Sequence, residues 1–296
     1  MQISHGRKRP LPALDDDESI EAQIKMEREM TGPNNVRPNR TKAKLAQGHT
    51  CYGIAIEYGN VQTVEIAAAA GCDFVIFDQE HEASSLPDTL SMVRAANISG
   101  ITPIARLGRN YGHYVDPLLA AGVQGFILSR IKSAADITAL TDMLYYYPLG
   151  KRTAWAHGRT AEFGIGTDFD AWCAQYNKEI HVHVILEEQK AIENLDEILA
   201  HPLLDVVEVG PNDLRLSMGM PSREEVARIE EETFARAVKA GKYVLEVHNT
   251  NTLTPRVWKE IRPGHGSLIA GAASSILSKT LLANVAEVRE RSKPRA

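Results

Sequence analysis

The sequence predicts a (β/α)8 TIM barrel, an all-parallel member of the α/β class. Three helical segments end in Ala-Gly just ahead of an apolar, strand-like run: AAAAGCDFVIF, LLAAGVQGFIL and VKAGKYVLEV. Glycine after a helix takes the left-handed conformation that ends the helix and lets a strand start soon afterwards. Eight strand–helix units in about 245 residues match this barrel, and a doubly wound open sheet is the main alternative.

Eight strands are predicted, each followed by a helical pattern. They cover residues 52–56, 74–78, 103–107, 125–129, 182–187, 206–209, 243–247 and 268–270. Ser85, Ser222 and Thr254 each place a capping side chain ahead of a helix, which supports the assignment. The connection from 147 to 179 has no strong period, so we predict a functional loop or lid there. Its string GIGTDFD matches no complete phosphate-binding motif.

Residues 1–44 differ from the rest and are predicted to form an N-terminal arm, with residues 45–296 as the catalytic barrel. The arm contains a basic patch at 5–9, an acidic run at 15–18 and the piece GPNNVRPNR. Residues 18–30 have the pattern of one exposed helix but too few apolar side chains for a core. The alternatives are therefore disorder, or packing against the barrel or a neighbouring subunit.

Composition favours a cytoplasmic protein that acts on small molecules. The 296 residues are 44% hydrophobic and 24% charged, as in ordinary globular proteins. A net charge of -5 gives no support for nucleic-acid or membrane partners. The three cysteines form no Cys-x-x-Cys pair, which argues against a disulfide framework or a thiolate zinc site. No apolar run approaches a membrane span, and no signal peptide is recognisable.

Polar side chains that end apolar strands are the candidates for chemistry, because TIM barrels place their active sites at the carboxyl ends of the strands. They are Asp78, Glu80 and His81 after strand 2, Arg106 on strand 3, Glu187 ending strand 5, and Gly210, Pro211, Asn212 and Asp213 after strand 6. A carboxylate from each of two adjacent strands suits Mg²⁺ or Mn²⁺. A nearby arginine and a helix start suit the anionic oxygens of a small keto acid.

These segments, in this order, resemble the class II pyruvate aldolases of the HpcH/HpaI type, the 4-hydroxy-2-oxo-heptane-1,7-dioate aldolase family. The resemblance covers residues 45 to 290 and lies in AAGCDFVIFDQEH, PIARL, LLAAGVQGFIL, YYPLGKR, VILEEQKAIENLDEIL and VEVGPNDLRLSMG. The spacing is also similar, with 25 residues from His81 to Arg106 and 26 from Glu187 to Asp213.

The resemblance implies a carbon–carbon lyase that reversibly cleaves a 4-hydroxy-2-oxo acid to pyruvate and an aldehyde through a metal-bound enolate. It implies Glu187 and Asp213 as ligands of a divalent metal, Mg²⁺ first, with Mn²⁺ or Co²⁺ as alternatives. Arg106 is implied to stabilise the enolate, and His81 with Asp78 to act as acid and base. We predict that Glu80 supports these groups without contacting the substrate itself. The family also implies a last helix exchanged between subunits of a hexamer built from dimers.

Three departures from the family pattern predict a different aldehyde pocket. Gln79 replaces a glycine, Ala55 a tryptophan, and Ser129-Arg130 a Pro-Met pair. The three remaining candidates, Arg109, His113 and Arg130, are either surface residues or partners of a second acidic group on the substrate.

Two other functions stay open at this point. The family includes a fungal branch, macrophomate synthase, that decarboxylates oxaloacetate and couples the enolate to a pyrone. The long N-terminal arm of this chain resembles that branch. An oxaloacetate decarboxylase or synthase on the same site is therefore one alternative. The other is a non-catalytic relative that binds a keto acid as a sensor, against which the intact set of ligands and acid/base residues argues.

Three further histidines are alternative candidates for functional residues. His181 and His183 have the spacing of a zinc pair in amidohydrolases, but His183 lies about 13 Å from Glu187 at 3.3 Å per residue. They are therefore predicted to be partly buried structural residues toward the opposite end of the barrel. His248 ends strand 7 and is a candidate to face the site.

Overall fold

Eight parallel strands pair in sequence order and close into a barrel. The computed structural model describes residues 35–81, 84–248 and 266–292. The strands are β1 Thr50–Ile56, β2 Phe74–Asp78, β3 Thr102–Leu107, β4 Gly125–Leu128, β5 His181–Leu186, β6 Val206–Val209, β7 Tyr243–His248 and β8 Ser267–Ala272. Because β8 pairs with β1, the predicted TIM barrel is confirmed and the open sheet is excluded.

Helices follow β1 to β6 and β8 as predicted, and the segment after β7 lies outside the described residues. The described helices are α1 Arg40–Ala46, α2 Val61–Ala69, α3 Leu86–Ser99, α4 Gly112–Ala121, α5 Ala134–Leu144, α6 Phe169–Glu179, α7 Gln189–Glu193, α8 Leu195–Leu199, α9 Pro211–Ser217, α10 Arg223–Lys239 and α11 Ala273–Arg291. The Ser85 and Ser222 hydroxyls accept hydrogen bonds from the first turns of α3 and α10, which confirms both helix starts. The predicted start at Thr254 lies outside the described residues.

Side chains alternate between the inside of the barrel and the surrounding helices, because successive residues of a strand face opposite ways. The interior cluster contains Phe74 and Ile76 of β2, Ile104, Ile127, Ile185, Val206, Leu245 and Leu268. Two residues further along β2, β3, β5 and β6, the same alternation directs four more side chains into the barrel interior: Asp78, Arg106, Glu187 and Glu208. The carboxyl-terminal end of the barrel is therefore charged above an apolar interior.

The opposite end of the barrel is closed by α1 and the residues just before it. The Asn39 side chain caps α1 and donates to the carbonyl of Glu179 at 2.9 Å. Leu45 is only 2% exposed and belongs to the interior cluster. Residues 35–44, which the sequence analysis placed in the arm, thus contact the barrel floor. Residues 1–34, including the predicted helix at 18–30, lie outside the described part of the chain.

The long connection before β5 is more ordered than its sequence pattern suggested. It contains a 3-10 turn, Arg159–Gly164, and the helix Phe169–Glu179. Trp172 and Tyr176, one helical turn apart, are buried, and their rings lie 5.2 and 5.8 Å from that of Tyr146. The sequence analysis found no periodic pattern here and predicted a loop, which is wrong for the helix Phe169–Glu179. The helix has few apolar side chains, but they are large aromatic residues, and their burial is enough to anchor it.

Helix α11 makes little contact with its own barrel. Ala273 is its only buried residue, and Leu277, Leu281, Val285 and Val288 are 52%, 53%, 43% and 63% exposed. At 100° per residue these four side chains form one stripe of the helix. No helix in the described ranges is long and apolar enough to cross a membrane.

Candidate active site

The predicted site residues of β2 and β3 meet at one point of the barrel's carboxyl-terminal end. Asp78 and Arg106 are direct partners in the register of these two strands. Arg106 Nη2 lies 2.7 Å from Glu80 Oε2, and Nη1 lies 3.5 Å from Asp78 Oδ2. Its Nε donates to the Ser129 hydroxyl at 3.2 Å. These three residues thus hold the guanidinium in place, and His81 contacts it as well.

Arg106 is a permanent cation in this setting. Burial alone would lower its pKa, but the surrounding carboxylates, Asp78, Glu80, Glu208 and Glu187, together raise the pKa above its usual value. A positive charge with little solvent around it can stabilise negative charge on a substrate oxygen far better than one in water.

Asp78 supports the backbone of the following turn and does not contact the His81 ring. Its Oδ1 accepts hydrogen bonds from the N–H groups of Glu80, at 2.8 Å, and of His81, at 3.2 Å. The His81 Nε2 lies 3.6 Å from Glu80 Oε2 and 3.1 Å from Arg106 Nη2. Sequence reasoning paired the ring with Asp78, whereas the carboxylate that faces it here is that of Glu80.

Glu187 follows β5 directly and Asp213 lies in the first turn of α9, close enough for its charge to raise the pKa of Glu187, the other predicted metal ligand. Glu187 is 4% exposed, and its Oε1 accepts from the N–H of Arg130 at 2.8 Å. A Cβ at Gly210 would lie only 2.9 Å from Glu187 Oε2, so a larger residue there would push the Glu187 side chain from its place. No described residue makes a hydrogen bond or ion pair to the exposed Asp213 carboxylate, which leaves its oxygens free.

The charges of the site fit a divalent cation. Burial, followed by the neighbouring carboxylates of Glu80 and Asp213, raises the pKa of Glu187 to about 7 against the opposing effect of Arg106. In the described part of the chain, no cluster of three or more His, Cys, Asp or Glu side chains is arranged as a metal site. Glu187 and Asp213 would therefore supply two oxygen ligands and leave the other positions to water and substrate, an arrangement typical of Mg²⁺.

Sequence reasoning missed Glu208, a further carboxylate inside the barrel. It follows the inward-facing Val206 by two residues and lies in register with Ile185 of β5. Burial raises its pKa to about 8, and Glu187 and Asp78 act in the same direction while Arg106 opposes them. The signal was present in the alternation of VVEV, where the acid takes the same side of the strand as Val206.

A cleft of about 490 Å³ opens beside His81. Its walls include Arg109, His113 and Arg130, the three residues whose roles the sequence left open. Gln79 also lines the cleft, but its amide donates to Thr89 of α3 at 3.0 Å. The side chain of His248 lies outside the described part of the structure.

His181 and His183 lie at the start of β5, at the opposite end of the barrel from Glu187. Both are fully buried, not partly buried as predicted, and His183 Nε2 lies 3.1 Å from His181 Nδ1. Burial lowers both pKa values, that of His183 to about 3, so the pair is neutral. This position separates the two histidines from the candidate site.

Comparison with known proteins matches the chain to one family model, HpcH/HpaI aldolase/citrate lyase, over residues 56–254. The 5-keto-4-deoxy-D-glucarate aldolase of Citrobacter koseri is 29% identical, with 71% of this chain and 81% of that protein aligned. The 4-hydroxy-4-methyl-2-oxoglutarate aldolase of Chaetomium globosum is 32% identical, with 63% and 70% aligned. A solved HpcH/HpaI aldolase from Desulfitobacterium hafniense superposes with a TM-score of 0.76 at 25% identity, covering 86% of this chain and 97% of that one.

The matched region contains each strand end that forms the site, from Asp78 to Asp213. The named relatives are aldolases, so the protein is a carbon–carbon lyase. On this evidence the chain belongs to the HpcH/HpaI aldolase/citrate lyase family.

Proposed function

We propose that the protein is a metal-dependent aldolase that reversibly cleaves a 4-hydroxy-2-oxo acid to pyruvate and an aldehyde. The observation that carries the proposal is the grouping of a fixed cation, Arg106, with an exposed imidazole, His81, and two carboxylates, Glu187 and Asp213. We also propose that it works in the cytoplasm, because its three cysteines are free thiols, as expected in a reducing compartment.

Glu187 and Asp213 would hold the divalent ion, Mg²⁺ first and Mn²⁺ or Co²⁺ as alternatives. When bound, such an ion polarises the keto group and offsets the negative charge of the surrounding carboxylates. The turn formed by Gly210, Pro211 and Asn212 lies next to Glu187, where it would contact the carboxylate of the keto acid. This arrangement would orient the 2-oxo oxygen toward Arg106.

Arg106 and His81 would divide the chemistry between them. As the C3–C4 bond breaks, its electron pair moves onto the pyruvate portion, and Arg106 stabilises the negative charge that develops on the 2-oxo oxygen. His81 takes the proton of the 4-hydroxyl group, directly or through one water, and the aldehyde leaves. The enolate then takes a proton at C3 from solvent water to give pyruvate, and His81 releases its proton to solvent. In the synthetic direction His81 returns its proton to the aldehyde oxygen.

A Schiff-base mechanism has no support in this site. Such a mechanism needs a lysine amine beside the keto carbon. The inward-facing groups at the described ends of β2 to β6 are Asp78, Arg106, Ser129, Glu187 and Gly210, none of which is a lysine. The absence of a lysine among these five groups supports the proposed activation of the keto acid by a metal.

Metal removal tests the proposal. Wild-type enzyme treated with excess chelator should lose both hydrogen–deuterium exchange at the pyruvate methyl group and aldol cleavage, and added Mg²⁺, Mn²⁺ or Co²⁺ should restore them. Borohydride with pyruvate should leave the protein mass unchanged. Full activity in chelator, or a reduced pyruvate adduct on a lysine, would show that the mechanism is wrong.

We further propose that α11 packs against a neighbouring subunit, in a hexamer built from dimers with exchanged last helices. The support is the stripe of exposed apolar residues on α11, which its own barrel does not cover. Tyr52, on the outer face of β1, is also 39% exposed, so this side of the barrel is open to a partner. Contiguous apolar surface of this kind is typical of protein interfaces.

A further inference from the structure

We propose that the floor of the barrel has a second binding site, which takes a small oxyanion with two or more negative charges, such as a phosphate group or a polycarboxylate. The proposal does not depend on the aldolase function. It rests on four arginines at the amino-terminal end of the strands, opposite to the candidate active site. None of the four forms an ion pair with a carboxylate in the described part of the chain: Arg37, Arg40, Arg94 and Arg159.

A hollow of about 200 Å³ opens on this floor. It is lined by Arg37 and Arg40, by Asn97 of α3 and by Gln124, which directly precedes β4. A narrower crevice, lined by Arg37 and Arg159, adjoins the hollow, because Arg37, Asn97 and Gln124 line both spaces. The two spaces together therefore bring guanidinium groups from separate parts of the chain to one place.

The side chains of Arg37 and Arg40 are held in place by neutral partners. The buried Gln124 amide donates to the Arg37 carbonyl at 2.7 Å, and Arg37 Nη1 donates to the carbonyl of Asn97 at 3.1 Å. Arg40 Nη1 donates to the carbonyl of Gly100 at 3.4 Å. A guanidinium has five N–H donors, so these contacts leave the charge and most donors of both groups for a ligand. Positioning the donors before binding lowers the cost of binding.

Like charges are crowded around Arg159. Burial lowers its pKa, and the charges of Arg37 and Arg94 lower the pKa further, whereas Glu162 opposes them. Within the described ranges, no residue makes a hydrogen bond or ion pair to the Arg159 guanidinium. Repulsion between like charges is unfavourable, and a bound anion would offset it. The crowding of Arg159 is therefore explained if an anion occupies the crevice.

Two carboxylates line the crevice, and one of them already has partners. Glu179 accepts from the Asn39 N–H and from the Gln175 amide, each at 2.6 Å. The second is Glu162. Four arginines against two carboxylates leave an excess of two positive charges, in a chain whose net charge is -5. Such an excess suits an anion with at least two charges better than a monovalent one.

Calorimetric titration tests the proposal on the full chain with saturating Mg²⁺ and pyruvate, the ligands proposed for the active site. Phosphate, succinate and acetate would be compared at equal ionic strength. We expect phosphate or succinate to bind with a Kd below about 1 mM and acetate about tenfold more weakly or less, because a dianion makes more charge-assisted hydrogen bonds. The tighter dianion identifies the ligand as a phosphate or a polycarboxylate. Equal binding of acetate, or no binding of either dianion, would overturn the proposal.

Arginine variants locate the site. Arg159→Gln and Arg94→Gln should each raise Kd for the dianion by about tenfold. In chloride alone, Arg159→Gln should keep or raise Tm, because it removes one of several crowded charges, whereas loss of a purely structural arginine would lower Tm. Arg228→Gln, in an exposed pair with Glu232 on α10, is the matched control. Unchanged Kd in both floor variants, or a loss in Arg109→Gln at the other end of the barrel, would contradict the proposal.

The acidic run at residues 15–18 is the alternative occupant of the hollow. A variant that lacks residues 1–34 distinguishes it from a free anion. Equal affinity for the dianion with and without these residues supports the proposal. Binding that occurs only after their deletion would assign the hollow to the acidic run and overturn the proposal. None of these results depends on aldol cleavage, so the two proposals succeed or fail separately.

Discussion

The carboxylate of Glu80 contacts both groups that are proposed to carry the chemistry: its Oε2 lies 2.7 Å from Arg106 Nη2 and 3.6 Å from His81 Nε2. Its side chain is only 9% exposed. A single carboxylate therefore lies between Arg106, the proposed enolate-stabilising cation, and His81, the proposed proton carrier. The sequence analysis gave Glu80 only a general supporting role.

Glu80→Gln should lower both aldol cleavage and pyruvate deuterium exchange. The amide keeps the shape of the side chain but loses the charge that holds Arg106, so we expect a loss of about 10- to 100-fold, as for supporting residues of other sites. Steady-state rates and exchange would be measured at saturating Mg²⁺, with the metal affinity determined separately so that a loss of metal is not read as a loss of catalysis. The exposed Glu232→Gln change is the control. A variant with wild-type rates would show that Glu80 does not position these groups.

His81→Ala and Arg106→Ala should separate proton transfer from enolate stabilisation. Decarboxylation of oxaloacetate leaves an enolate but needs no base for a hydroxyl group, whereas aldol cleavage needs both. His81→Ala should therefore reduce aldol cleavage by about 10²- to 10⁴-fold and decarboxylation much less, while Arg106→Ala should reduce both. Rates on oxaloacetate and on one aldol substrate, normalised to bound metal, decide this. Equal loss of both reactions in His81→Ala would contradict the assigned role.

The metal-free protein should become less stable as the pH rises from about 4.5 to about 8. The folded-state pKa values of Glu187 and Glu208, about 7 and about 8, lie above the ordinary 4.5. In this window the folded state binds more protons than the unfolded state, so the free energy of unfolding falls with pH. Urea unfolding at several pH values, with and without Mg²⁺, measures it.

Two further results are expected from that experiment. Mg²⁺ should stabilise the protein more at pH 8.5 than at pH 6, because ionised carboxylates bind it better. Glu208→Gln should flatten the decline, since it removes one of the two titrating groups. Stability of the metal-free wild type that increases from pH 6 to pH 8 would contradict this account.

Residues 35–46 should be essential to the barrel, whereas residues 1–34 should be dispensable for folding. Deleting 1–34 should leave a folded, metal-binding protein, and deleting 1–46 should not, because the latter removes the floor that contains Leu45. Leu45→Ala should lower the free energy of unfolding by about 2–5 kcal/mol. Gln47→Ala, at an exposed position after α1, is the control. Loss of folding on removal of 1–34 alone would place that segment in the core.

Charged residues on the apolar stripe of α11 should break the proposed hexamer. A Leu277→Glu, Leu281→Glu double variant should elute as smaller species, because two charges cannot be buried in an apolar interface without partners. Ala283→Glu, on the other side of the same helix, is the matched control. Light scattering during gel filtration measures the mass. An unchanged mass for the double variant would show that this stripe is not the interface.

The order of the strands and most members of the candidate site could be predicted from sequence, because the information is local. Glycines that follow Ala at helix ends are a short-range signal, and the structure has Gly71, Gly122 and Gly241 at positive φ, as that signal requires. The rule that a TIM barrel places its chemistry at strand ends then selected Asp78, Arg106 and Glu187 without coordinates.

Contacts between distant segments were decided only by the tertiary structure. Asn39 hydrogen-bonds to Glu179, 140 residues away, so no local pattern marks residues 35–46 as the barrel floor. The alternation in VVEV marks Glu208 as inward-facing, but its importance depends on the closed barrel, which brings it near Arg106 and Glu187. The partner of the His81 ring is likewise a matter of side-chain packing, because Asp78 and Glu80 are both near in sequence and the fold turns Asp78 toward the backbone. Strand alternation and strand ends are properties of the chain, whereas the closure of the barrel determines which charges share a low-dielectric space.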